Sequence, residues 1–165
     1  MTQEKIVLGI DLGTTYSSIA YVDEAGQAKI LENDEGQRST PSVVFFEDSG
    51  NVVVGRVAKN FLAMDSMKGV ELAKREIANL SSSREKRTWE IYGKKYTPED
   101  ISSFILKKLV KDACTKLGQE VKDVVITVPA YFDLTAREAV RTAGMLAGLN
   151  VLALLNEPEA AAVAF

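Results

Sequence analysis

Ile6-Val7-Leu8-Gly9-Ile10-Asp11-Leu12-Gly13-Thr14-Thr15-Tyr16-Ser17-Ser18-Ile19-Ala20-Tyr21-Val22 decides the fold, because a turn carrying a carboxylate, a glycine and two hydroxyls joins its two apolar runs. The run Ile6 to Ile10 is short and continuously apolar, the pattern of a strand buried on both faces, and Asp11 stands at its carboxyl end. The run Ser17 to Val22 mixes small and β-prone residues and stops at the turn Asp23-Glu24-Ala25-Gly26. The unit is therefore a β-hairpin and not a strand followed by a helix. Gly13 can take positive φ without a Cβ clash, so the N–H groups of Thr14 and Thr15 can converge on an anion while their hydroxyls add donors. Asp11 would repel a bare phosphate, so its sensible role is to hold Mg2+, directly or through water. A nucleotide with magnesium fits both halves, and a hairpin with an ordinary polar turn fits the same residues.

Composition narrows the chemistry. The chain has 165 residues, 46% of them hydrophobic, which is enough for one globular domain with a sizeable core. A net charge of -3 and the lack of a basic stripe interleaved with aromatics argue against nonspecific nucleic-acid binding. The cluster Arg84-Glu85-Lys86-Arg87 is diluted by its glutamate and reads as a solvated turn. With no histidine and one cysteine, Cys114, neither a zinc site nor a histidine-based triad can be built. Catalysis would use carboxylates, lysines, hydroxyls and a metal. There is no Gly-x-x-x-x-Gly-Lys-Ser/Thr run and no Gly-x-Gly-x-x-Gly opening a helix. Gly9 and Gly13 match the spacing of a membrane dimer motif but enclose Asp11 and lie in no long apolar segment. Without an apolar run of membrane length or a signal-type start, a cytoplasmic location is the expectation.

Further along, Lys29-Ile30-Leu31 reads as a third antiparallel strand, Ser42 to Phe46 as a strand after Pro41, and Val52-Val53-Val54 as its partner across Asp48-Ser49-Gly50-Asn51. The first third is expected to be a β-meander. Val57, Phe61, Met64, Val70, Ala73 and Ile77 recur at helical spacing between Gly55 and Leu80, and Ser81-Ser82-Ser83 ends that region. Trp89 to Tyr96 reads as a short hairpin. Thr97-Pro98-Glu99-Asp100 starts a helix with Ile101, Phe104, Ile105, Leu109, Cys114 and Leu117 on one stripe and Gly118 as its stop. Val121 to Val128, closed by Pro129, and Val151 to Leu155 read as buried strands, with a helix from Asp133 to Ala147 between them. Strand, helix, strand in that order predicts a right-handed parallel βαβ unit beside the meander, hence a mixed sheet. Residues from Glu157 onward read as a helix cut off at Phe165, so the chain reads as truncated.

The hairpin, Val128-Pro129-Ala130-Tyr131-Phe132, and Asn156-Glu157-Pro158 followed by alanines together resemble the seventy-kilodalton heat-shock chaperones of the DnaK type, over Ile6 to the last residue. The resemblance implies an α/β, actin-like (ribonuclease H-like) ATPase fold with two lobes closing over Mg-ATP. This chain matches the first lobe, with a five-stranded mixed sheet flanked by helices and a small peripheral α+β subdomain at approximately residues 36–110. The second lobe and the peptide-binding domain of the family would lie beyond Phe165. By the same resemblance Asp11 belongs to the magnesium's water shell, and Gly13, Thr14, Thr15 and Tyr16 form the first phosphate loop. Lys74, in Glu71-Leu72-Ala73-Lys74-Arg75, aligns with the family's catalytic lysine, and Glu157 with the glutamate that orients the hydrolytic water. Pro129 and Arg137 match an interdomain relay. Read without the family, Lys74 is a surface lysine, Glu157 an acid at a helix start, Pro129 a strand stop and Arg137 a solvated arginine.

The implied function is that of a chaperone ATPase whose ATP and ADP states release and hold unfolded polypeptides, with J-domain cochaperones and exchange factors as partners. Ala153 stands where many members are basic, Glu159 where threonine is usual, and the stretch from Lys74 to Trp89 is short, as in a divergent paralogue. The alternatives are a sugar or acetate kinase of the same superfold and a binding lobe without activity. For the fragment alone, inactivity is the expectation.

Overall fold

The structure is a computed structural model and describes residues 5–82 and 85–164. Ser83, which closes the expected serine stop, Arg84 of the basic cluster, the first four residues and Phe165 lie outside the described residues. The hairpin forms as β1 (Leu8–Asp11) and β2 (Tyr16–Val22), extended by antiparallel β3 (Ala28–Leu31). On the other side β1 pairs in parallel with β10 (Asp123–Val128), which pairs in parallel with β11 (Asn150–Asn156). The main sheet thus runs β11-β10-β1-β2-β3, five strands of mixed direction, and the two-residue β4 (Thr40–Pro41) adds to the start of β2.

The helical layer over this sheet is α3 (Pro98–Leu117) and α4 (Leu134–Leu146). Thr97 and Asp100 close a reciprocal capping box at the start of α3, with Pro98 in its first turn, and Gly118 ends it in the left-handed region. Asp133 caps α4 through the N–H of Ala136. Leu8, Ile10, Ile19, Val124, Ile126 and Val128 on one face of the sheet pack with Ile101, Ile105, Leu109, Ala139, Val140 and Ala143. The other face is different. Gly9 and Asp11 are exposed, and Val125 and Thr127 are half-buried. β1 and β11 therefore alternate instead of being buried on both faces as the apolar runs suggested, because the helices that cover them lie on one side. α4 comes close enough to β11 that a Cβ on Gly144 would sit 2.3 Å from Val151.

The expected meander is two sheets. β5 (Val43–Phe46) pairs with β6 (Val52–Val54) and with β7 (Gly69–Glu71), and it is buried along its whole length. Val43 and Phe45 meet α1 (Arg56–Met64), while Val44 and Phe46 face the main core. The long helical region expected from Gly55 to Leu80 is broken into α1, a short 3-10 turn, β7 and α2 (Ala73–Ala78). Asp65 caps the 3-10 turn, and Gly69 passes so close to Leu62 and the Val44 carbonyl that a Cβ there would be 2.7 and 3.0 Å away. The close approach places this backbone beside β5, with which it pairs as an antiparallel strand. The hairpin β8 (Trp89–Ile91) and β9 (Lys94–Tyr96) turns at Tyr92-Gly93, both at positive φ, and not at Gly93-Lys94 as the sequence pattern suggests. The final element is α5 (Glu157–Ala164).

Candidate functional site

Because β1, β10 and β11 are parallel, their carboxyl ends meet at one edge. Asp11 stands opposite Thr127, and Val128 opposite Asn156, so Asp11 and Asn156 are two strand spacings apart, about 10 Å. The exposed Asp11 accepts a hydrogen bond at Oδ1 from the Thr127 hydroxyl, 3.3 Å away. Ligands of open α/β sheets collect at such an edge. Buried Pro129 ends β10 there, and Glu157 opens α5 directly after β11.

Between β1 and β2 the turn has a construction the sequence did not suggest. Gly13 is not at positive φ. Glycine is required for another reason: a Cβ would lie 1.8 Å from the Tyr16 carbonyl oxygen. The Gly13 N–H donates to Ser17 Oγ at 3.1 Å, and Ser42 Oγ donates to the Gly13 carbonyl at 2.9 Å. The two hydroxyls are 2.9 Å apart, and both serines are buried. Ser42 also donates its N–H to the Thr15 carbonyl at 2.9 Å. The turn leaves Thr14 half-buried and Thr15 exposed. Tyr16 turns toward α1, where Lys59 Nζ lies 3.3 Å from its hydroxyl and 5.3 Å from its ring centre.

Lys74 is not a surface lysine. Its side chain is 9% exposed, and its ammonium donates to Glu157 Oε1 at 2.6 Å, while Glu157 is 41% exposed. The buried Phe132 ring lies 6.0 Å from the same nitrogen. Leu72, two residues earlier, opens α2 at φ 61 without a side-chain cap. Such a conformation is strained for leucine and persists where surrounding packing enforces it. Arg137 is not solvated either. It donates to Asn156 Oδ1 at 2.5 Å and to the Phe132 carbonyl at 3.0 Å, bracing both neighbours of the lysine pair. Nearby, the Ser81 hydroxyl and the N–H groups of Ala136 and Thr135 hold the Asp133 carboxyl below the usual carboxylate range.

The structure therefore brings Asp11, Pro129, Arg137, Lys74 and Glu157 to one edge, with Gly13, Thr14 and Thr15 in the adjoining turn and Tyr16 directed to α1. Ser17, Ser42, Thr127, Phe132 and Asn156 also belong to this shell. Phe132 and Asn156 sit within stretches that the sequence already marked, whereas Ser17 and Ser42 carry no signal beyond being small polar residues in β-prone runs. Among the described residues no cluster of three or more His, Cys, Asp or Glu side chains could hold a metal by itself. The exposed Asp11 carboxylate suits a hard cation whose remaining ligands are water and phosphate oxygens, which is how magnesium is usually held. No described helix is long and apolar enough to cross a membrane.

A family model described as Hsp70 protein matches residues 7–165. The chain is 45% identical over 163 residues to the chaperone protein DnaK of Thermotoga neapolitana, covering 99% of this chain and 26% of that protein. DnaK of Thermotoga maritima gives the same figures. DnaK of Thermosipho melanesiensis is 43% identical over 164 residues, again 99% of this chain and 26% of the relative. The chain spans about a quarter of the length of these curated relatives.

Proposed function

The chain belongs to the Hsp70 family, and from that premise we propose that it is the first nucleotide-binding lobe of a chaperone that couples ATP hydrolysis to the binding and release of unfolded polypeptides. The observation that carries the reading is the buried Lys74 held 2.6 Å from Glu157 at the strand-end edge that also carries Asp11 and leads into the Gly13-Thr14-Thr15 turn. These groups come from three separate stretches of the chain, around residues 11–15, 74 and 157, brought together at one sheet edge.

In the proposed reaction, ATP and water give ADP and phosphate by in-line attack on the γ-phosphorus. Magnesium, when bound, neutralises charge on the phosphates. The hydroxyls of Thr14 and Thr15 and the N–H groups of the turn bind phosphate oxygens. Asp11 would hold the cation through its water shell, and the Thr127 hydroxyl lies within hydrogen-bond reach of both its carboxylate and the Ile10 carbonyl. Lys74 supplies positive charge where the transferring phosphoryl group becomes more negative, an effect favoured by its burial. Glu157 orients the attacking water once the lysine has shifted toward phosphate. Arg137, through Asn156 and the Phe132 carbonyl, connects this centre with the strand end at Pro129, the route proposed for relaying nucleotide state to a substrate domain.

The segment at approximately residues 36–110 is proposed as the peripheral subdomain. It has its own sheet, β6-β5-β7, and the β8–β9 hairpin, with the first part of α3 at its end. Client polypeptides, a J-domain cochaperone and an exchange factor are the proposed partners, and the cytoplasm the proposed location. Ala153 and Glu159 are the positions at which cochaperone docking is expected to differ from other members.

The test is calorimetric titration of Mg-ADP, together with single-turnover hydrolysis of Mg-ATP, on the intact protein and on its Lys74→Ala variant. Binding by both with hydrolysis lost in the variant is the expected result. Hydrolysis at an unchanged rate removes Lys74 from the mechanism, and no binding by the intact protein overturns the nucleotide reading. The 165-residue chain alone is expected to show no turnover.

A further inference from the structure

We propose that Ser17 and Ser42 are positioning residues of the phosphate-binding turn, acting through a closed, one-directional ring of hydrogen bonds on Gly13. The assignment rests on the nucleotide reading above. The directions follow from proton counting, since each serine hydroxyl has one hydrogen. Ser42 gives its hydrogen to the Gly13 carbonyl, so the 2.9 Å contact between the hydroxyls must be filled by the hydrogen of Ser17. Ser17 in turn accepts the Gly13 N–H. The ring runs from the Gly13 N–H to Ser17 Oγ, to Ser42 Oγ, and back to the Gly13 carbonyl.

Both serines are almost completely buried, at 1% and 4% exposure, so water has little access to replace a lost member. The ring also determines which peptide groups remain for a ligand. It occupies the N–H and the carbonyl of Gly13, and the Ser42 N–H occupies the Thr15 carbonyl. The Gly13 and Thr15 carbonyl oxygens are thereby engaged within the protein, and the N–H groups and hydroxyls of Thr14 and Thr15 are left for anions.

Ser42 has a second consequence. The next residue, Val43, pairs with Glu71 of β7, and Lys74 follows three residues later. One short strand therefore places the phosphate turn at its start and, through its neighbour, the lysine that faces the phosphate. The remote β6-β5-β7 sheet would thus set the two halves of the site relative to each other.

The experiment has two readouts on Ser17→Ala, Ser42→Ala and Ser42→Thr, with Ser102→Ala, equally buried but in α3, as the control for losing a buried hydroxyl. Amide exchange at Gly13 is measured by NMR in the 165-residue chain without nucleotide, and Mg-ADP affinity by calorimetry in the intact protein. Ser17→Ala is expected to speed Gly13 exchange by at least about tenfold, and each alanine variant to weaken ADP binding about tenfold. Ser42→Thr, which keeps the hydroxyl, and Ser102→Ala should leave affinity near that of the parent. Unchanged Gly13 exchange in Ser17→Ala overturns the ring. Faster exchange with unchanged ADP affinity overturns the positioning role. If the parent protein binds no ADP, the nucleotide reading and the role of the serines fall together, while the exchange data still report whether the ring exists.

Discussion

The two ends of β1, β10 and β11 carry the same kind of ion pair with opposite burial. At the amino end, Asp123 is the buried partner; it accepts from Asn150 at 2.9 Å and meets Lys5, whose side chain is 80% exposed, at 2.5 Å. At the carboxyl end the lysine is buried and the carboxylate, Glu157, is half exposed. The buried carboxylate takes an amide hydrogen bond at Oδ1 and an ion-pair contact with a solvated lysine at Oδ2, and its work is to hold β10 to β11 and to the residues before β1. A buried lysine facing a half-exposed carboxylate is different, because an incoming anion can compete for it. Burying an ammonium is costly, and such a group is commonly found where its charge has a use. The difference teaches that the inventory of a charged pair says less than which member is kept from water.

The glycine turns show the same contrast, and they give the largest expected effect. Gly13→Ala should abolish nucleotide binding and destabilise the protein by about 3 kcal/mol, since the new Cβ meets a backbone oxygen that cannot swing aside. Gly50→Ala, at φ +86 with nothing within 4 Å, should cost only about 1 kcal/mol and leave binding intact. Denaturant unfolding and calorimetric titration of the two variants check this, and equal effects would erase the distinction.

Next in size, Lys74→Met should slow hydrolysis by about 100-fold or more while changing unfolding free energy by no more than about 1 kcal/mol, because replacing a buried charge with an apolar chain of similar length offsets the lost pair. Single-turnover assays beside urea melts read both quantities.

Asp123→Asn should do the reverse, lowering the unfolding midpoint at neutral pH and sparing nucleotide affinity. Lys5 and Asn150 hold the Asp123 carboxyl below its ordinary range. A carboxyl depressed in the folded state contributes stability that is present above its unfolded value, about 4, and is lost as pH falls through the folded value. The gap between parent and variant should therefore close in acid, which thermal melts from pH 7 down to about pH 2 will show. A gap that stays constant would mean that the charge of Asp123 is irrelevant.

The smallest effect concerns the entry to α2. Leu72→Asn should stabilise the protein by about 0.5 kcal/mol, because asparagine tolerates positive φ and can cap the helix. Urea melts check the sign.

Much of this was legible along the chain. Capping at Thr97-Pro98 and at Asp133, glycine stops at 118 and 148, and the alternation of short apolar runs are local signals, and the hairpin, α3, α4 and the parallel β10–β11 unit follow from them. The Asp11 to Thr15 turn and Glu157 were visible as chemistry at strand ends. β7 was not, because Val70 and its neighbours keep helical spacing and only the approach of Gly69 to β5 makes them a strand. Lys74 looked like any lysine on a helix, and Arg137 like a solvated one, since burial belongs to the assembled molecule. Ser17 and Ser42 lie 25 residues apart and become partners only when β4 folds against β2.

By itself, then, the sequence determined which segments become strands and helices wherever caps, glycines and periodicity act within a few residues, and which polar groups stand at strand ends. The tertiary structure alone decided which face of the main sheet is covered, why Gly13 must be glycine, and which member of each ion pair is withdrawn from water. The physical reason is range: propensity and capping act over one turn of chain, whereas desolvation and close approach are properties of surfaces brought together from distant segments.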